Sequence, residues 1–302
     1  VSRVFSNSSL VKEQTRDRIL NVARSMGMKP KSSNVQTQQI ALITEPPEKT
    51  VMGGYVSSLT QSICFELSRR GVGMSLITED NLDSLHLSWF DGVIAIAWFP
   101  ETVKRLKRIS NIPVVWINRN DLADGFNIVR TDHFNTGYMA AKYLLDKGHR
   151  RLAVPLCKSQ ISDKAAIERL EGFKQAMVDA EVSPEKSLMY NTEPTPWPLL
   201  INRIIAEKYT AIWIGNEDMV SLEVLWLIQE MAGKKIPEDI SVLCMEKPGI
   251  SEFLRPALTT IAQPLPELAK EAVKIVLNRY NRKLVNNVRP VKLIERQSVK
   301  SI

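Results

Sequence analysis

From residue 40 onward, short apolar runs alternate with stretches in which apolar residues recur every three or four positions. "IALIT" (40–44) reads as a buried strand. Tyr55, Leu59, Ile63 and Leu67 then form one face of a helix that Gly71 ends. "MSLIT" (74–78), "DGVIAIAW" (91–98) and "IPVVWIN" (112–118) are further strands. The second is apolar almost throughout, as a parallel strand covered on both faces requires. Thr102 to Ser110 reads as a basic amphipathic helix, and Asn135 to Lys147 as a helix closed by Gly148. The cadence continues through strand "RLAVPL", helix 165–180, strand "SLMYN", helix 199–207, strand "AIWIG", helix 217–232 and strand "SVLCM". "TTIAQ" (259–263), helix 266–281 and strand "VKLIER" complete it. Strand–helix alternation predicts parallel sheets with helices on both faces, and about a dozen strands divide better between two similar α/β units than within one sheet.

The first residues follow a different rule. Residues 1–6 read as part of a helix, Asn7-Ser8-Ser9 as its end, and Val11 to Met26 as a second helix stopped by Gly27. "KSSNVQTQQ" is polar, aperiodic and linker-like. Charge adds to this picture. The 302-residue chain carries a formal net charge of +7. Arg3, Lys12, Arg16, Arg18, Arg24, Lys29 and Lys31 face only Glu13 and Asp17 in its first 31 positions. A concentrated basic excess on helices is the footprint of a phosphate-contacting module.

Several classes are excluded. The apolar run from Val93 to Phe99 is too short to span a bilayer, and the first residues hold no signal-peptide core. Cys64, Cys157 and Cys244 are widely spaced in apolar runs, as expected of core thiols in a reducing compartment, and the three histidines are scattered. These features predict a soluble cytoplasmic protein without metal or cofactor. No phosphate-binding glycine motif and no nucleophile motif is present, so an enzyme is not expected.

In open α/β sheets, ligands bind at the carboxyl ends of the strands. Residues just past each run are therefore candidates: Thr44, Glu45, Trp98, Asn118, Arg119, Asp132, Asn216, Glu217 and Glu246, with Tyr55 and Trp116 nearby. Aromatic faces beside carboxylates and amides suit a small polyhydroxylated ligand. Helix capping or strand-end packing is the competing reading for any one of them.

The chain resembles the LacI/GalR-type bacterial transcriptional regulators over nearly its whole length. The resemblance is carried, in order, by "VSRVFSN", "LVKEQTRDRILNVARSMGMKP", "DGVIAI", "IPVVWINR", "VRTDHFNTGYMAAKYLLDKGHRRLAV", "ERLEGFKQAM", "YTAIWIGNEDM", "IPEDISVLCMEK", "RPALTTIAQP" and "LIERQSV". It implies two similar parallel-sheet lobes of periplasmic-binding-protein type behind a partial helix-turn-helix headpiece. The implied boundaries are headpiece 1–29, hinge linker 30–39, N-terminal lobe 40–132 with 264–286, and C-terminal lobe 133–263 with 287–302. The first helix of the headpiece is expected to precede Val1. The linker lacks the leucine with which the family wedges its operator.

The resemblance also assigns residues. Ser2, Arg3 and Asn7 fall on the DNA-reading helix. Tyr55 becomes a wall of the effector site, Asn118 a hydroxyl partner, and Arg169 the central cationic donor, able to fork onto two ligand oxygens. Trp98 joins them. Asp132 and Gln263 lie at lobe crossovers as hinge or ligand residues. Glu217 and Glu246 stand where the family usually has aspartate, each one methylene longer. The implied function is a ligand-responsive repressor: a homodimer that binds operator DNA and closes its lobes on a sugar-like effector. The rival reading is a periplasmic-type sugar-binding protein of a transport system.

Overall fold

The computed structural model describes residues 4, 10–26, 38–46, 54–82, 90–96, 106, 112–118, 125–155, 164–190, 196–215, 220–278 and 284–302. Contacts divide the chain into two compact units, the first formed by Val1–Thr50, Leu59–Arg130 and Leu265–Asn287. The second is formed by Val51–Ser58, Thr131–Pro264 and Val288–Ile302.

Near the start lies helix α1 (Glu13–Ser25), on which Leu20 and Ala23 are buried. The first sheet contains β1 (Gln39–Thr44), β2 (Gly73–Thr78), β3 (Gly92–Ala95), β4 (Val114–Ile117), β5 (Asn127–Thr131) and the late β11 (Asn286–Arg289). Their order is β11-β5-β4-β3-β1-β2, with β1 to β5 paired in parallel. Helix α2 (Tyr55–Ser68) buries Leu59, Ile63 and Leu67 and ends before Gly71, whose φ of 64° is the left-handed helix stop foreseen for it. The sheet alternates by two: Ala41, Ile43, Val93, Ala95, Val114 and Trp116 share one apolar cluster. Trp116 tilts against Phe126 at 5.9 Å.

The second sheet repeats the plan. It holds β6 (Leu152–Val154), β7 (Leu188–Tyr190), β8 (Ala211–Ile214), β9 (Ser241–Met245), β10 (Thr259–Ala262) and β12 (Lys292–Ile294), in the order β12-β10-β9-β8-β6-β7. Its neighbouring strands are parallel except β10 with β12. Its helices are α3 (His133–Asp146), α4 (Lys164–Asp179), the single turn α5 (Pro184–Ser187), α6 (Trp197–Ala206) and α7 (Val220–Trp226), which continues as a π turn over Leu227–Met231. Helix α8 (Leu265–Leu277) returns to the first unit, burying Leu268, Ala269, Ala272, Val273 and Val276.

Alternation explains why the second sheet's strands read as continuous apolar runs. Leu152, Val154, Ala211, Trp213, Leu243 and Met245 pack into one cluster with α3 and α4. Ala153, Ile212, Ile214, Val242 and Cys244 pack into the other with α6 and α7. Both faces are covered, so both sets must be apolar.

Two expectations need correction. Cys64 is exposed on α2 rather than packed in a core, because it sits away from the Leu59–Ile63–Leu67 face. Cys244 is fully buried, and burial pushes its thiol up to about 12; Cys157 lies outside the described residues. Strands β5 and β11 were not foreseen at all. The expected helix at 102–110 falls outside the described residues except for Leu106.

Candidate functional site

The carboxyl ends of the parallel strands are where side chains can converge without breaking a sheet. In the first unit, Asn118 is the residue after β4. Its φ is 59°, a left-handed conformation that asparagine tolerates better than most residues, and its N–H donates to the Val129 carbonyl at 2.9 Å. The backbone thus turns sharply at the strand end, where Asn118 sits. Tyr55, the first residue of α2, is buried and falls within Val51–Ser58, which groups with the second unit. Trp98 lies outside the described residues, as do Ser2, Arg3, Asn7 and Glu217.

In the second unit, Arg169 sits on α4 and is only 7% exposed. Its backbone is seated by a close helix crossing. A Cβ added at Gly137 on α3 would stand 1.7 Å from the Arg169 carbonyl oxygen. The contact is reciprocal: a Cβ at Gly172 on α4 would stand 1.9 Å from the Phe134 carbonyl oxygen. Only glycine fits at either place, so α3 and α4 touch backbone to backbone. Phe134 and Tyr138 stack at 6.5 Å beside this crossing, and Tyr138 donates to Asp179 at 2.9 Å.

Asp132 is the N-cap of α3, its carboxylate accepting from the Asn135 N–H at 3.0 Å. Gln263, just past β10, accepts from the Thr131 hydroxyl at 2.5 Å. Glu246, just past β9, is held most firmly. Arg296 grips it with both guanidinium nitrogens, Nη1 to Oε2 at 2.9 Å and Nη2 to Oε1 at 3.1 Å. The Thr260 hydroxyl also donates to it, and both side chains of the pair are largely buried. Arg296 donates further to the Leu258 carbonyl at 2.6 Å. Glu246 therefore has firm protein partners for both oxygens, and Arg296 is the functional neighbour that sequence reasoning missed. Fifty residues separate them, and no local pattern marks the pair.

The segment Lys147-Gly148-His149-Arg150 is a helix end, as its sequence indicates. Gly148 has φ 95°, and the Arg150 guanidinium donates to the Leu145 carbonyl at 2.8 Å. His149 is fully buried. Its Nε2 faces the Lys300 carbonyl at 3.1 Å, which can only accept, so Nε2 carries the proton and Nδ1 accepts from the Thr210 hydroxyl at 2.9 Å. Burial holds this imidazole below its ordinary pKa, in the neutral form. Among the described residues no group of acidic, histidine and cysteine side chains is placed to hold a metal ion. Among them, too, no helix is long and apolar enough to cross a membrane.

Paired sheets of this order, with polar strand ends, define a class of ligand-binding α/β proteins. Residues 141–299, slightly more than half of the chain, match the model of the periplasmic binding protein-like domain. The HTH-type transcriptional repressor PurR of Histophilus somni (strain 129Pt) is 25% identical over 325 residues, an alignment covering 100% of this chain and 95% of that protein. A LacI family transcriptional regulator from Enterococcus faecium, solved with bound ribose, superposes with a TM-score of 0.75 at 25% identity, covering 88% of this chain and 100% of that one. The transcriptional regulator CelR in its cellobiose complex has the same fold, with a TM-score of 0.72 at 22% identity, covering 98% of this chain and 94% of that one. The chain belongs to the periplasmic binding protein-like family, and within it to the LacI/GalR transcriptional regulators.

Proposed function

We propose that this regulator is a homodimeric repressor that binds operator DNA through its N-terminal helices and takes a sugar-like effector at its strand ends. The observation that carries the effector reading is Arg169, a buried cation fixed by a glycine-on-backbone crossing. Its fork suits vicinal oxygens of a polyhydroxylated molecule. The ribose and cellobiose held by the two structural relatives support the same class. Tyr55, Trp98, Asn118, Asp132, Glu217, Glu246 and Gln263 are proposed as its surroundings, with Ser2, Arg3 and Asn7 as DNA contacts. The basic excess of residues 1–31 supports the DNA role.

An effector works only through the difference in its affinity for two conformations, so binding and response are separate questions. Binding is tested by a thermal-shift screen against pentoses, hexoses, disaccharides and sugar phosphates, since a ligand of the native state raises the melting temperature by mass action. Calorimetry with the best compound on Arg169→Ala then tests the residue. The variant should fold and lose roughly 1.5–3 kcal/mol of binding, the worth of a charge-assisted hydrogen bond. Unchanged affinity removes Arg169 from the site.

A further inference from the structure

Among the described residues of the second unit, the Trp213 indole carries a buried polar atom that the surrounding structure leaves unused. Trp213, the third residue of β8, is 1% exposed, and its indole Nε1 has no hydrogen-bond partner. Its ring lies flat on Phe173 of α4, with centroids 5.1 Å apart and planes 7° apart. Phe173 is one helical turn after Arg169, so the two project from the same face of α4.

The ring also reaches toward the carboxyl end of its strand. Gly215 follows two residues later, on the same face of the sheet. A Cβ at Gly215 would lie 3.1 Å from Cη2 and Cζ2 of the indole and 3.4 Å from Cε2, the atom bonded to Nε1. The edge carrying the N–H is therefore the one turned to the strand end, and glycine leaves room beside it.

We propose that the Trp213 N–H is a specificity donor of the effector site, paired with Arg169 to take an oxyanion of the effector. The inference rests on the effector reading above and refines it. Indole and guanidinium are both donors without acceptor capacity, so the group they share must be an acceptor. Glu246, just past the neighbouring strand β9, already has its oxygens on Arg296 and Thr260. A carboxylate or phosphate on a sugar framework meets two donors and one positive charge better than a neutral hydroxyl does.

The test uses the whole chain with four probes: D-ribose, D-ribose 5-phosphate, D-gluconate and 6-phospho-D-gluconate. The wild type should show its largest thermal shift with a charged member, and the carboxylate and phosphate arms identify which oxyanion. Trp213→Phe keeps the stack on Phe173 and removes the N–H. It should melt at or above the wild-type temperature when unliganded, yet bind that charged compound at least tenfold more weakly. Gly215→Ala, which fills the space beside an intact indole, should weaken it as well, and carries the test if Trp213→Phe does not fold. A shift with ribose alone, or a charged compound bound equally by wild type and variants, overturns the inference and leaves the sugar-effector reading standing. If none of a full panel of sugars and sugar derivatives binds, that reading fails and this inference fails with it.

Discussion

The two units share one strand order but close it by different chemistry. In the first, the late strand β11 meets β5 through the Ile128 N–H, which donates to the Val285 carbonyl at 2.7 Å, and through Asn127. That side chain donates to the Val114 carbonyl and accepts from the Val285 N–H, each at 3.2 Å. In the second, the chain after β12 is tied in by charge and hydroxyls. Arg296 clasps Glu246, Ser298 donates to the Val242 carbonyl at 2.6 Å, and Lys300 receives the His149 ring on its carbonyl. Apolar periodicity thus suffices to build either sheet. The polar closures, which periodicity does not encode, decide what is left at the strand ends for a ligand.

The largest effect that separates the units should come from the α3–α4 crossing, whose backbone-to-backbone contact belongs to the second unit. Gly137→Ala forces a Cβ into the Arg169 carbonyl, and neither helix backbone can yield without moving the other. A destabilisation of about 3 kcal/mol is expected, at the upper end for overpacking. Gly71→Ala in the first unit meets no atom within 4 Å and pays only for its φ of 64°, about 1 kcal/mol. Chemical denaturation of both variants checks the order, and equal losses would break the contrast.

Next comes the charged clasp. Arg296→Ala leaves Glu246 largely buried without its counterion and should cost on the order of 3 kcal/mol. Glu246→Gln keeps an acceptor for Thr260 and should cost less. A double-mutant cycle between the two should show coupling above 1 kcal/mol, whereas additivity would mean that the pair does not act as a unit.

A smaller effect should follow pH. His149 is neutral in the fold, with a pKa lowered by burial from the ordinary 6.5. The unfolded chain therefore binds more protons below about pH 6.5, and stability contributed at this site is full above that pH and declines as pH falls beneath it. Replacing His149 with Gln should flatten the loss between pH 6.5 and 5. An unchanged slope would assign the acid sensitivity to other groups.

What the sequence made legible follows the same division. The ten foreseen strands are apolar runs, and β9 coincides with "SVLCM" residue for residue. β5 and β11 were missed because "NIVRT" and "NNVR" are interrupted by polar residues, and the Asn127 side chain of β5 performs part of the closure just described. At the site, "NTGYM" and "ERLEGF" were both conspicuous, but nothing local shows that their glycines meet. Asp132 could be read as hinge or ligand from its position; the structure gives its carboxylate a capping bond. Trp213 was invisible as chemistry because it lies inside an apolar run, and its unpaired N–H exists only in three dimensions.

In a ligand-responsive regulator, effector and DNA oppose or reinforce each other through one protein. That coupling is tested most directly by measuring it twice, using the protein expressed from its complete reading frame. First, a duplex is selected from random sequence by the protein, and its affinity is measured with and without saturating effector. Then effector affinity is measured with and without that duplex at the same salt concentration. Linkage requires the two fold-changes to be equal, and about 5- to 150-fold is expected for a regulator of this kind. A selected duplex whose affinity is indifferent to every bound effector would contradict the account.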